Sequence, residues 1–212
     1  MSEPTRWWWV RHAPVPGAPS RIYGQSDVSC DTSETAAFAN LAASLPEGAV
    51  WVVSPLKRTH ETLDAIASIG VPIPQPIIEP GLAEQDFGRW QGLSWAEMQA
   101  NDPAAYAAFW QDPTRAAPPD GESYVALMDR ARTAIERLTA AHAGRDMIAV
   151  SHGGTIRAAV GLALNLTPEA TMAVVIDNLS VTRLSHVEDG LLRGRGGVWM
   201  VEGVNWPSRG GR

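Results

Sequence analysis

Residues 7–13 read Trp-Trp-Trp-Val-Arg-His-Ala: four apolar side chains in succession, then a cation and an imidazole. A short apolar run bounded by polar residues marks a strand buried on both faces. The stretch that follows, residues 13–32, holds Pro14, Pro16, Gly17, Pro19 and Gly24 and reads as loop. Arg11 and His12 are therefore expected where a buried strand opens into a loop. The pattern returns at residues 147–154, Met-Ile-Ala-Val-Ser-His-Gly-Gly. Here too a buried strand ends in a histidine, and a glycine pair turns into a helix over about 155–164.

Working outward, residues 35–45 are Ala-rich and helical, and Pro46-Glu47-Gly48 stops them. Residues 49–53 form another buried strand. A helix then runs to about Ser68, with Ser54 as its N-cap and Pro55 at its first position. The prolines at 72, 74, 76 and 80 leave room for a short strand only. Residues 94–111 read as one or two short helices broken at Asn101-Asp102-Pro103, and residues 112–121 as loop. A longer helix is expected over 122–142, with Met128, Ala131, Ile135 and Leu138 on its buried face. Residues 181–184 and 198–201 read as late strands, and the Gly/Arg-rich residues after Trp206 as a frayed tail. Strands alternating with helices imply an α/β protein, its mainly parallel sheet covered on both faces. Residues 80–121 look like an insertion over one end of that sheet. Such sheets bind ligands at the carboxyl ends of their strands, where Arg11-His12 and Ser151-His152 lie.

A chain of 212 residues suits one domain, and a hydrophobic content of 45% suits an ordinary core. A net charge of −6 with 17 basic residues argues against a nucleic-acid footprint. An anionic substrate must then be drawn by a few arginines focused in a cleft. The single cysteine, Cys30, excludes an internal disulfide and fits a reducing compartment. The first residues lack the pattern of a signal peptide, and no apolar run reaches bilayer length. A cytoplasmic protein with no membrane partner is expected. His60, His142 and His186 are read as surface or turn residues. With no cysteine pair and no tight histidine spacing, no metal and no cofactor are expected. Of the nine tryptophans, Trp7, Trp8 and Trp9 are read as packing. Trp90, Trp95 and Trp110 are read as core of the insertion in preference to a surface that stacks a flat group.

Four pieces carry chemistry: Val10 to Ala13, Ser54 to Arg58, Leu82 to Glu84, and Val150 to Gly154. Each alone is weak, since a histidine after a strand is usually structural. Together they suit phosphate esters. Arg11 and Arg58 can offset the ester's charge with bidentate forks. Arg58, in the first turn of its helix, points back toward the orphan N–H groups of that helix terminus, and the Gly153-Gly154 turn offers similar donors. A neutral imidazole can attack phosphorus. A carboxylic acid can protonate the leaving oxygen and then act as base toward water.

These pieces resemble the signature of the histidine phosphatase superfamily, also called phosphoglycerate mutase-like. Arg11-His12-Ala13 is similar to its Arg-His-Gly, and Ser54 to Arg58 to its Ser-Pro-Leu-x-Arg. Leu82-Ala83-Glu84 with Phe87-Gly88-Arg89-Trp90-Gln91-Gly92 matches its next motif. Gly121-Glu122-Ser123 and Ser151-His152-Gly153-Gly154 complete the order. The resemblance implies a three-layer α/β/α sandwich with a small cap, spanning residues 1–212 as one domain with the cap at about 80–121. It implies His12 as the nucleophile that becomes phosphohistidine, and Glu84 as proton donor and acceptor. Arg11, Arg58 and His152 would hold the phosphoryl oxygens, without a metal. The loop Arg21 to Val28 and the stretch Glu84 to Gly88 look like those of α-ribazole phosphatases, which makes Gln25 and Ser26 candidate substrate contacts beside Gly153.

The expected activity is hydrolysis of a small phosphomonoester, with α-ribazole phosphate as a lead. The alternatives are a cofactor-dependent phosphoglycerate mutase and a non-catalytic phospho-ligand or protein-binding module. The partner would be a small phosphate ester rather than nucleic acid, and a homodimer is compatible with this reading. Two departures stand out. Ala13 replaces the family's glycine and is strained if that position needs a positive φ. Val15 stands where a hydroxyl is common and cannot donate to phosphate.

Overall fold

The computed structural model describes residues 3–17, 21–192 and 197–207. Its centre is a six-stranded sheet in the order β3-β2-β4-β1-β5-β6. These strands are β1 (Thr5–Arg11), β2 (Val50–Val53), β3 (Ile77–Ile78), β4 (Asp146–Ser151), β5 (Val181–His186) and β6 (Trp199–Trp206). Strands β1 to β4 run parallel, β5 is antiparallel to β1, and β6 is antiparallel to β5. The chain leaves β1, passes over to β2, and returns later to insert β4 between them. The register aligns Arg11 with Ser151, so the residues that follow, His12 and His152, emerge side by side.

Alternation along the central strands builds two cores. Val10, Ile148 and Val150 face one layer with Phe38, Leu41, Leu63 and Ile66. Trp7, Trp9, Met147 and Ala149 face the other with Ile135, Leu138, Ile156 and Ala159. The first layer is α1 (Thr35–Ser44) and α2 (Lys57–Ser68); the second is α5 (Tyr124–Ala141) and α6 (Gly153–Leu164). Trp7 and Trp9, two residues apart on one face of the strand, stack with centroids 4.9 Å apart and planes 11° apart. This α/β/α arrangement is the expected fold.

Between β3 and α5 lie α3 (Trp95–Asn101) and α4 (Pro103–Gln111). Ser94 and Glu97 close a reciprocal capping box on α3, and Asp102 with Pro103 starts α4. Trp90, Met98 and Phe109 form a separate small core there. A short α7 (Pro168–Thr171), absent from the sequence reading, follows α6.

Two expectations need correction. Helix α2 starts at Lys57 with Leu56 as N-cap and no side-chain cap. Ser54, three residues ahead of Lys57, instead bonds His152 Nε2 at 2.7 Å. The last strand is longer than residues 198–201 suggest, and it is irregular, with a register shift in its pairing to β5 and Asn205 at φ 58°. The expected frayed tail falls almost wholly outside the described residues.

Candidate active site

The carboxyl ends of β1 and β4 form the floor of a cavity of about 830 Å³. His12 is 6% exposed. Its Nδ1 lies 2.7 Å from the Ala13 carbonyl, which only accepts, so Nδ1 carries the proton and Nε2 keeps its lone pair. Arg58 Nε donates to that Nε2 at 3.3 Å. Burial, the Arg58 guanidinium and then Arg11 push the imidazole down to about 3, the Ala13 carbonyl opposing them. His12 is therefore neutral at physiological pH. Its own carbonyl accepts from Asn178 Nδ2 at 2.7 Å. Leu179, next in the chain, sits at φ 58°, a conformation costly for a branched side chain, held by its N–H on the Arg11 carbonyl at 3.0 Å.

His152 is fully buried, with its ring centroid 5.2 Å from that of His12. Its Nε2 lies 2.7 Å from Ser54 Oγ. Ser54 Oγ accepts from the Leu56 N–H at 3.4 Å, and its proton is available to an imidazole whose Nε2 accepts. Nδ1 of His152 is then the protonated nitrogen, and it has no protein partner. Burial first, then Arg58, His12, Arg11 and Arg130, hold this ring far below its ordinary pKa.

Arg58, near the start of α2, is 2% exposed. Its Nη1 and Nη2 donate to the carbonyls of Ser26 at 3.0 Å and Gly24 at 2.7 Å. Arg11 donates through Nη1 to the Ile176 carbonyl at 2.6 Å, while its Nε is buried without a partner. Burial lowers the pKa of both guanidiniums, and Glu84 opposes that shift in each. Glu84 accepts from its neighbour Gln85 N–H at 3.0 Å and from the Gly154 N–H at 3.2 Å. The N-terminus of α6 thus holds a carboxylate, as its dipole favours. A Cβ at Gly154 would collide with that carboxylate.

Arg11, His12, Arg58 and Glu84 all line the cavity, and His152 packs next to that lining, its ring centroid 5.2 Å from that of His12. The other candidates are placed differently. Gln25 turns its amide to the Glu84 carbonyl at 3.0 Å, and Ser26 offers its carbonyl to Arg58, so neither lines the cavity; Tyr23 and Gly24 of that loop do. Gly153 packs on Arg11, and Gly154 supplies the lining instead. Ala13 has no positive φ, and its N–H is taken by Thr62 Oγ1 at 2.9 Å; it is not strained. Trp90 is core at 3% exposure, as expected, but Trp95 and Trp110 line the cavity mouth, centroids 5.2 Å apart.

Three contributors escaped the sequence reading. Ser54, followed by Pro55 at a helix start, reads as a cap in the sequence. Asn178 lies in a segment without periodicity. Arg130, on α5, donates to the carbonyls of Gly81, Ala83 and Glu84 at 2.8–2.9 Å and pairs with Glu122 at 2.6 Å, clamping the loop that carries Glu84. A charged residue inside the stripe of Leu127, Ala131 and Ala134 was its available signal.

A family model described as the histidine phosphatase superfamily (branch 1) matches residues 7–193. A metal-independent phosphoserine phosphatase of Arabidopsis thaliana is 34% identical over 193 residues, 89% of this chain and 79% of that one. A mycobacterial glucosyl-3-phosphoglycerate phosphatase superposes with a TM-score of 0.77 at 26% identity, over 96% of this chain and 100% of that one. The α-ribazole phosphatase of Shigella flexneri shares the fold, with a TM-score of 0.78 at 20% identity over 95% and 96% of the two chains. A bifunctional protein of Mycobacterium tuberculosis is 30% identical over 143 residues, 67% of this chain, which spans 38% of that relative's length. The family match begins in β1, the strand that delivers His12, and runs past β5, its antiparallel neighbour, and the chain belongs to the histidine phosphatase superfamily, branch 1.

Proposed function

We propose that the chain is a metal-independent phosphatase of small phosphomonoesters that passes the phosphoryl group through Nε2 of His12. The observation that carries this reading is the buried, neutral His12 imidazole, whose Nδ1 is fixed on the Ala13 carbonyl and whose Nε2, accepting from Arg58 Nε, lies in an arginine-lined cavity. Arg11 and Arg58 offset the ester's charge, and Nδ1–H of His152 is the donor left for a phosphoryl oxygen. Nε2 attacks phosphorus as the P–O bond to the alcohol breaks, and Glu84 gives the departing oxygen its proton. Water then attacks the phosphohistidine, Glu84 takes a proton from it, the P–N bond breaks, and the lone pair returns to Nε2. Residues 80–121 act as the cap that selects the ester, and the relatives' substrates head the panel to be tried.

The test is hydrolysis of p-nitrophenyl phosphate in excess EDTA, with trapping of an acid-labile phosphoenzyme. Wild type should turn over and label, and His12→Ala should do neither. Normal turnover in that variant would sink the reading.

A further inference from the structure

Among the described residues, Arg11, Arg58, Arg145 and Arg157 are the lysines and arginines without a carboxylate at ion-pair distance. Three of those four line the same cavity. Arg11 and Arg58 are accounted for by the reacting phosphate. Arg157 is not. It lies on α6, one helical turn beyond Gly153, so it stands about 6 Å up the helix from the floor. Its Nε donates to the Val174 carbonyl at 2.8 Å, which leaves both terminal nitrogens of the guanidinium without a protein partner.

The segment that holds Arg157 also holds Arg11, through the Ile176 carbonyl at 2.6 Å. Carbonyls two residues apart are separated by at most about 7 Å. Two cations are therefore anchored along one rail, with no carboxylate at ion-pair distance from either. They are close enough to oppose each other: after burial, and against Glu84, Arg157 helps to lower the pKa of Arg11. An anionic group beside Arg157 would relieve that opposition. The Tyr124 hydroxyl, held by Thr171 Oγ1 at 3.0 Å, belongs to a residue that lines the same cavity.

We infer that Arg157 forms a second anion subsite, so that the preferred ester carries a further negative group, a carboxylate or a second phosphate, on its alcohol portion. This rests on the phosphatase reading above and makes Arg157 a specificity residue for it.

Matched ester pairs test it. Phosphoserine and 3-phosphoglycerate each have a partner without the carboxylate: phosphoethanolamine, which simply lacks it, and glycerol 3-phosphate, which has a hydroxymethyl group in its place. Propanediol bisphosphate against propanol phosphate gives the second-phosphate arm. Wild type should favour the doubly anionic member in at least one arm, by about ten- to hundredfold in kcat/KM, the worth of a charge-assisted contact. Which arm does so identifies the group. Arg157→Gln should bring the pair near parity, and Arg157→Lys should keep part of the preference, supplying the same reading should the glutamine variant fail to fold. Equal losses for both members would show that Arg157 only braces the 174–176 segment, and would overturn the inference. Wild-type turnover of p-nitrophenyl phosphate with no preference in either arm would also overturn it while leaving the phosphatase reading intact. Absence of all turnover would remove both.

Discussion

At the end of β1 the His12 imidazole fixes its Nδ1 on a backbone carbonyl and leaves Nε2 for chemistry; at the end of β4, one strand over, His152 fixes Nε2 on a serine and leaves Nδ1. The two rings share burial, neighbours and depressed pKa. They differ in which nitrogen is tied and to what. A carbonyl can only accept, so it leaves the lone pair on the far nitrogen, where Arg58 Nε donates to it; a hydroxyl that donates leaves the far nitrogen its N–H. Sheet register places the imidazoles, and one hydrogen bond apiece gives them the opposite nitrogens on which the proposed roles of attacking group and oxygen holder depend.

The largest expected effect is on the first ring. His12→Ala should reduce turnover by at least about 10⁴-fold, as loss of a covalent nucleophile does, and abolish the phosphoenzyme label. His152→Ala should cost about 10²–10³-fold, the scale of one lost charge-stabilising donor, while the label still forms on His12. If both variants lose labelling alike, the two roles are not distinct. Ser54→Ala should lower kcat by about tenfold, the worth of one buried hydrogen bond, by releasing the His152 tautomer; Ser54→Thr should restore it. A silent Ser54→Ala would break the tautomer argument.

A separate effect is on stability. The folded His12 pKa of about 3 lies below the unfolded value of 6.5, with Arg58, Arg11 and His152 around it. Between those values the unfolded chain binds a proton that the native one refuses, so stability is lost as pH falls from about 6.5 toward 3. Melting temperature should decline over that window by roughly 2–4 °C per kcal/mol of linkage, and His12→Asn should flatten the decline. Equal slopes would place the linkage elsewhere.

Much of this architecture was legible from local pattern. Apolar runs such as Trp7 to Val10 announce buried strands, and the 3.6-residue spacing of Met128, Ala131, Ile135 and Leu138 announces α5. Arg11, His12 and His152 were legible because they follow such runs directly. What stayed hidden depends on distant partners. Ser54 reads as a cap until His152, 98 positions away, claims it. Gln25 reads as a substrate contact until the Glu84 carbonyl takes its amide. Strand β6 lies at the edge of the sheet and is interrupted by Gly203 and Asn205, so its period breaks in the middle.

The tryptophan pairs give the molecule two built-in optical probes. Trp7 and Trp9, on β1 itself, are stacked and dry, whereas Trp95 leans on Trp110, 48% exposed, at the cavity mouth. Ligand entry should therefore perturb the solvent-shifted, quenchable part of the fluorescence and leave the excitonic signature of the inner stack in place. Loss of that inner signature would report melting of the sheet, so binding and unfolding can be followed by light in one unlabelled sample.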